Sequence, residues 1–94
     1  MAFRLVVPIE AAATKGDELI AAFHARSQEV RKEAGCEEFE LYQSTERPDH
    51  FVLLERWTDE TTLKAHAELN LKRGNTAVSL RVGMTPAERY IICD

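Results

Sequence analysis

The chain has little of what usually announces a function. Its 94 residues include two cysteines, three prolines, four glycines and one tryptophan. The glycines stand apart, at Gly16, Gly35, Gly74 and Gly83, so no glycine-rich loop is present to cradle a phosphate and no nucleotide motif is read. His24, His50 and His66 form no HxH or HxxxH pair, and Cys36 and Cys93 have no metal-ligand spacing, so no metal site is assigned. Lys and Arg are scattered within a formal net charge of -4, which argues against a nucleic-acid partner. No apolar run could span a membrane. The opening Met1–Pro8 lacks the apolar stretch and cleavage site of a signal peptide, so a cytoplasmic location is expected, with no cofactor.

What is present is ordinary globular composition, 45% apolar and 30% charged, which sets disorder aside. A chain this short builds one core, so residues 1–94 are read as a single domain.

Phe3 to Ile9 is apolar and β-branched except at Arg4, and reads as a first strand ending near Pro8. Thr14 with Asp17 three residues later resembles a capping box. The helix it opens is expected to run to about Ala34, with Leu19, Phe23, Val30 and Ala34 as its inner stripe, widened by Ala22 and Ala25, and Gly35 as its stop. Glu38 to Ser44 alternates as a second strand. After the turn residues 45–49, His50 to Trp57 reads as a third strand with both faces partly covered.

Asp59 is a good N-cap for a second helix, with Leu63, Ala67 and Leu71 as its apolar stripe and His66 at the stripe's edge. Asn70 follows one turn later on the same side. Residues 71–84 read equally as broken helix or as strand, and Arg89 to Cys93 as a last strand. The order β-α-β-β-α-β gives an α+β, ferredoxin-like domain, an antiparallel sheet with both helices on one face. The other face would be bare, and a second copy of the chain is its expected cover, giving a homodimer through the sheet.

Strands two and four are then the sheet edges, about 14 Å apart. A disulfide needs Cα atoms within about 7 Å, so Cys36 and Cys93 are expected to be free, half-buried thiols. His24 should face solvent or the rim, and His50 should be exposed. Tyr42 and Tyr90 read as packing residues.

The segments Glu33-Ala34-Gly35-Cys36-Glu37-Glu38-Phe39-Glu40-Leu41, Phe51 to Trp57, and Asp59-Glu60 followed by Leu63-Lys64-Ala65-His66 carry a resemblance. Together they resemble the antibiotic biosynthesis monooxygenase superfamily, small dimeric α+β barrel proteins. The likeness spans Phe3 to Ile92 and is sharpest from Glu33 to His66. It implies a face-to-face dimer with a pocket between sheet and helices in each protomer. Members include cofactor-independent monooxygenases of phenols and quinols, haem-degrading enzymes and enzymes of small signal molecules. Trp57 and His66 match the family's strand Trp and helix His. Phe39 stands where the family often has Tyr, so one substrate-orienting hydroxyl is missing.

An imidazole exchanges protons near neutral pH. His66 is therefore the candidate proton acceptor for a small aromatic or carbonyl substrate, with Trp57 as a wall on which a ring lies. Phe39, Glu55 and Asn70 are the candidate substrate-binding residues, Glu55 because it shares strand parity with Trp57. Three alternatives stand beside the monooxygenase: a non-catalytic dimer binding an apolar ligand, an isomerase of a small carbonyl compound, and a haem-degrading enzyme. The last also calls for an Asn on the first strand, and Phe3-Arg4-Leu5-Val6-Val7 has none. The opposing reading keeps His66 as a buried, bonded histidine and Trp57 as plain core.

Overall fold

The computed structural model describes residues 1–93. The elements run β1 (Ala2–Glu10), α1 (Gly16–Val30), β2 (Cys36–Gln43), β3 (His50–Trp57), α2 (Glu60–Arg73) and β4 (Glu88–Ile92), with a short 3-10 turn over Val78–Leu80. The sheet order is β2-β3-β1-β4 and every pairing is antiparallel. This is the ferredoxin-like α+β fold.

The register sorts the sheet into two faces. Phe3 lies opposite Trp57, Val7 opposite Leu53 and Ile9 opposite Phe51, while Phe39 lies opposite Glu55. These inward residues meet Leu19, Phe23 and Val30 of α1 and Leu63 of α2 in one buried core. Trp57, Leu19 and Val30 are wholly enclosed, and each such side chain contributes about 1.5–3 kcal/mol of burial energy. The intervening positions Val6, Pro8, Val52 and Leu54 face the other way, rimmed by Arg4 bonded to Glu38 and by Arg56 at 2.8 Å from Glu37.

Helix α1 departs from expectation at both ends. Thr14 does not cap it: its φ is 67°, and Lys15 holds the cap position without a side-chain bond. The helix ends at Val30 rather than Ala34, and tighter bonds from the Lys32 and Glu33 amides to the Glu29 and Val30 carbonyls wind the chain into a turn. That turn swings Glu33 away from solvent. Ala25 is exposed and Ser27 takes a buried place on the inner stripe.

Helix α2 opens as expected, on a capping box in which Asp59 accepts from the Thr62 amide at 2.9 Å. Its inner stripe differs from the expected one. Ala67 and Leu71 are exposed, and the inward line is Leu63, His66, Asn70 and Arg73. The spacing of three and four is the helix's own period, so His66 sits at the centre of the buried line. Of residues 71–84, Leu71–Arg73 continue α2 and Gly74 breaks it at φ 80°, so the broken-helix alternative holds and the strand alternative does not. Beyond the break come the short Val78–Leu80 turn and the isolated Ala11–Arg81 bridge to the sheet's end.

Both cysteines are free, with Cys36 half-buried as expected but Cys93 exposed. His24 is exposed, as read, whereas His50 is half-buried rather than exposed. No helix among the described residues is long and apolar enough to cross a membrane.

Gly35 joins the two halves of the core. Its φ is +80°, a Cβ there would lie 2.4 Å from the Thr62 side chain, and its carbonyl accepts from the Thr58 amide at 2.9 Å. Gly35→Ala therefore adds a clash to backbone strain, where Asp59→Ala removes only a cap worth about 1 kcal/mol. Urea unfolding is expected to show the larger loss for Gly35→Ala, on the order of 2–3 kcal/mol. Equal losses would mean that Thr62 yields freely.

Candidate functional site

The site begins with strand parity. Phe51, Leu53, Glu55 and Trp57 all point inward from β3, which places one carboxylate in an otherwise apolar row. Helix α2 crosses above it and lowers His66 onto Trp57. The two rings stack with centroids 4.4 Å apart and planes inclined by 29°. Phe39 meets the same imidazole edge-on at 6.0 Å. Trp57 has no exposed surface and His66 is 4% exposed.

Both imidazole nitrogens are engaged. Nδ1 lies 2.9 Å from Glu33 Oε1, a carboxylate that can only accept, so Nδ1 carries the proton of the neutral ring. Nε2 is then the acceptor, and it takes a hydrogen bond from Asn70 Nδ2 at 3.1 Å. The tautomer is assigned from these partners. Glu55 Oε1 is 3.6 Å from the same Nε2 and accepts from Trp57 Nε1–H at 3.0 Å. On the far side Arg73 donates to Glu33 Oε2 at 2.5 Å. Arg73, Glu33, His66 and Glu55 thus form one chain of charge from the helix rim into the sheet.

Burial raises the Glu55 carboxyl above its ordinary range, and the nearby Glu33 charge adds to that shift. The Trp57 N–H works the other way, as would a protonated His66. The site therefore holds on to a proton near Glu55.

A cavity of about 190 Å³ opens beside this network. Val7, Ile9, Phe39 and Leu53 give it an apolar floor, and Glu55 and Asn70 supply one polar wall. Arg26, Arg81 and Met84 close the opposite side. A larger groove of about 270 Å³ runs between α1 and β2, past His24, Arg31 and Glu40, but none of the network residues reaches it.

All five candidate residues are thus brought together, though not in the expected arrangement. Phe39, Glu55 and Asn70 line the cavity, while Trp57 and His66 lie behind them. The indole offers no free wall to a ligand, because the imidazole covers its face. The cause is position along β3: Trp57 ends the strand beneath α2, and Glu55, two residues earlier, reaches the space beside the helix.

Glu33, Arg73, Arg26 and Arg81 were not foreseen. The expected helix to Ala34 put Glu33 on a solvated face. The one signal that could have placed it is the turn demanded just before Gly35. Arg81 lies in a segment without periodicity, which left no signal for it.

Comparison with known proteins agrees with this architecture. Residues 2–70 match the profile of the family described as antibiotic biosynthesis monooxygenase. Over 54 residues the chain is 32% identical to YcnE of Bacillus subtilis (strain 168), named as a candidate monooxygenase, and spans 57% of that protein's length and of its own. PA3566 from Pseudomonas aeruginosa superposes with a TM-score of 0.80 at 25% identity, covering 99% of this chain and 95% of that one. A Nitrosomonas europaea protein of 21% identity shares the fold at a TM-score of 0.84, over 95% of this chain and 88% of its own. The four-stranded sheet, its two helices and the match across most of the sequence lead to one assignment: the chain belongs to the antibiotic biosynthesis monooxygenase family.

Proposed function

We propose that the chain is a cofactor-independent monooxygenase of a small phenolic or quinol compound. The observation that carries this reading is the buried Glu33–His66–Glu55 chain, which reaches an apolar-floored cavity at Glu55 and Asn70. A cavity of about 150 Å³ accepts one benzene ring, so about 190 Å³ suits a single substituted ring.

The ring would lie on Phe39 and Leu53 with a hydroxyl at Glu55. The Glu55 carboxyl, protonated by burial, passes its proton to His66 Nε2 as it takes the phenolic proton, and the Glu33 carboxylate steadies the resulting imidazolium. Trp57 shapes the site from behind, by stacking on the imidazole and by its N–H bond to Glu55. The phenolate is electron-rich and gives one electron to dioxygen. The two radicals combine at a ring carbon bearing hydrogen, the peroxide anion takes back the proton held on His66, and the hydroperoxide loses water. One phenol and one O₂ become one quinone and one H₂O, with one atom of the O₂ in each product.

Haem does not fit the residues present. Both nitrogens of His66 are bonded inside the core, and the cavity is sized for one small ring rather than a macrocycle. We also propose that a second copy covers the open sheet face, since Val6, Pro8, Val52 and Leu54 form an apolar strip there.

Oxygen uptake with a panel of dihydroxyarenes tests the activity. His66→Ala is expected to slow turnover by about a hundredfold or more while anaerobic ligand affinity is largely kept. Undiminished turnover in that variant would end the proton-acceptor role. Isomerisation of a carbonyl compound without oxygen uptake would assign the chain to an isomerase instead.

The raised Glu55 carboxyl gives a second test. A folded-state value above the unfolded one makes protonation favour the fold, so this group's support is complete below the unfolded value and is lost as pH rises through the folded one. Glu55→Gln should therefore gain thermal stability over the parent progressively as pH rises above about 4.3. A difference that is flat with pH would mean that the carboxylate is not desolvated.

For the sheet face, Leu54→Glu is expected to shift the sedimenting species from dimer to monomer. A parent chain that already sediments as a monomer would remove that proposal.

A further inference from the structure

The loop that closes the cavity carries an unmatched cation. Arg81 is half-buried, and among the described residues it has no carboxylate within ion-pair distance. Its one bond is a long one, from NH1 to the Thr76 carbonyl at 3.5 Å. Its Nε–H is buried without any partner. Burial alone pulls its guanidinium below the ordinary value, a sign of desolvation without compensation.

Asn70 is in a matching condition. Its Nδ2 is spent on His66, and its Oδ1 is buried without a donor. Buried polar atoms are nearly always paired, and each unpaired one costs free energy. Here the residue with the lone donor and the residue with the lone acceptor both line the same small cavity, with the two unpaired atoms just beneath its surface.

We infer that Arg81 and Asn70 form a two-point subsite for the mono-anion of a small dihydroxy ring compound, with the ionised oxygen on Arg81 Nε and the remaining hydroxyl on Asn70 Oδ1. This deepens, and rests on, the oxygenase reading, because it names the charge state in which the ring is held. Arg26 lines the same cavity, so a second cation favours an anionic ligand. Glu55, the acid in the lining, would repel an anion when ionised, but burial favours its protonated form.

The test uses 4-nitrocatechol, whose ionised and neutral forms absorb at different wavelengths. The parent protein is expected to bind it, to hold the ionised band to lower pH than free probe shows, and to shift the Arg81 Nε–H resonance. Arg81→Met should weaken binding by about tenfold or more and abolish the band's persistence, and Arg81→Lys should restore it in part. The uncharged 4-nitroanisole should bind parent and Arg81→Met alike.

Failure of the parent to bind the probe at millimolar concentration overturns the subsite, as does an unmoved Nε–H resonance, a readout that does not depend on any variant folding. Binding that depends on Arg81, without oxygen uptake from any dihydroxyarene, would keep the subsite and discard the oxygenase. Oxygen uptake unchanged in Arg81→Met would do the reverse.

Discussion

An imidazole sealed between an indole and two carboxylates is the constraint on which the site is built. His66 cannot leave its place without exposing Trp57 and stranding Glu33 and Glu55 in a low-dielectric interior. Leaving a buried polar group without its hydrogen-bond partner costs on the order of 1–3 kcal/mol, and more for a charged one. The interaction also joins three elements that are distant in sequence. Glu33 follows α1, His66 lies on α2, and Glu55 sits in the middle of β3. The same contacts that fix the helices on the sheet therefore also fix Glu55 and Asn70 at the cavity wall.

Arg73 offsets one carboxylate, Glu33, while burial favours the protonated form of the other, Glu55. Neither Glu55 nor His66 reaches bulk water, since both are at most 5% exposed. In the proposed reaction a proton from a ligand hydroxyl enters an enclosed pair whose two facing atoms are 3.6 Å apart, with little solvent to return it.

Much of this was legible in the sequence, for identifiable reasons. Apolar, β-branched runs gave β1 and β3, period-two alternation gave β2, and Asp59 marked the start of α2 by its capping chemistry. The five candidate residues converge because strand parity joins Glu55 to Trp57 and helical period joins Asn70 to His66, while Phe39, Trp57 and His66 are the positions that the family resemblance singles out. What failed was finer. A helix end moved by four residues, from Ala34 to Val30, turned Glu33 from a solvated side chain into the partner of His66. The stripe drawn through Ala67 and Leu71 missed that a histidine, an asparagine and an arginine can form an inward line when they bond one another. Residues 71–84 had no period to read, so Arg81 could be placed only once the loop's path was known.

The sheet separates two tasks by parity alone. Along β3 the odd positions face the network and the even ones, Val52, Leu54 and Arg56, face away. Glu55 would be a liability in that inward row, where its neighbours are Phe51, Leu53 and Trp57. It is tolerated because the indole N–H and the imidazole lie within reach of one of its oxygens. A shift of one residue in register would send Glu55 and Trp57 outward and bring Leu54 and Arg56 into the core. Eight consecutive pairings with β1, from Phe3–Trp57 to Glu10–His50, hold that register, so the placement of a single acid depends on the whole strand.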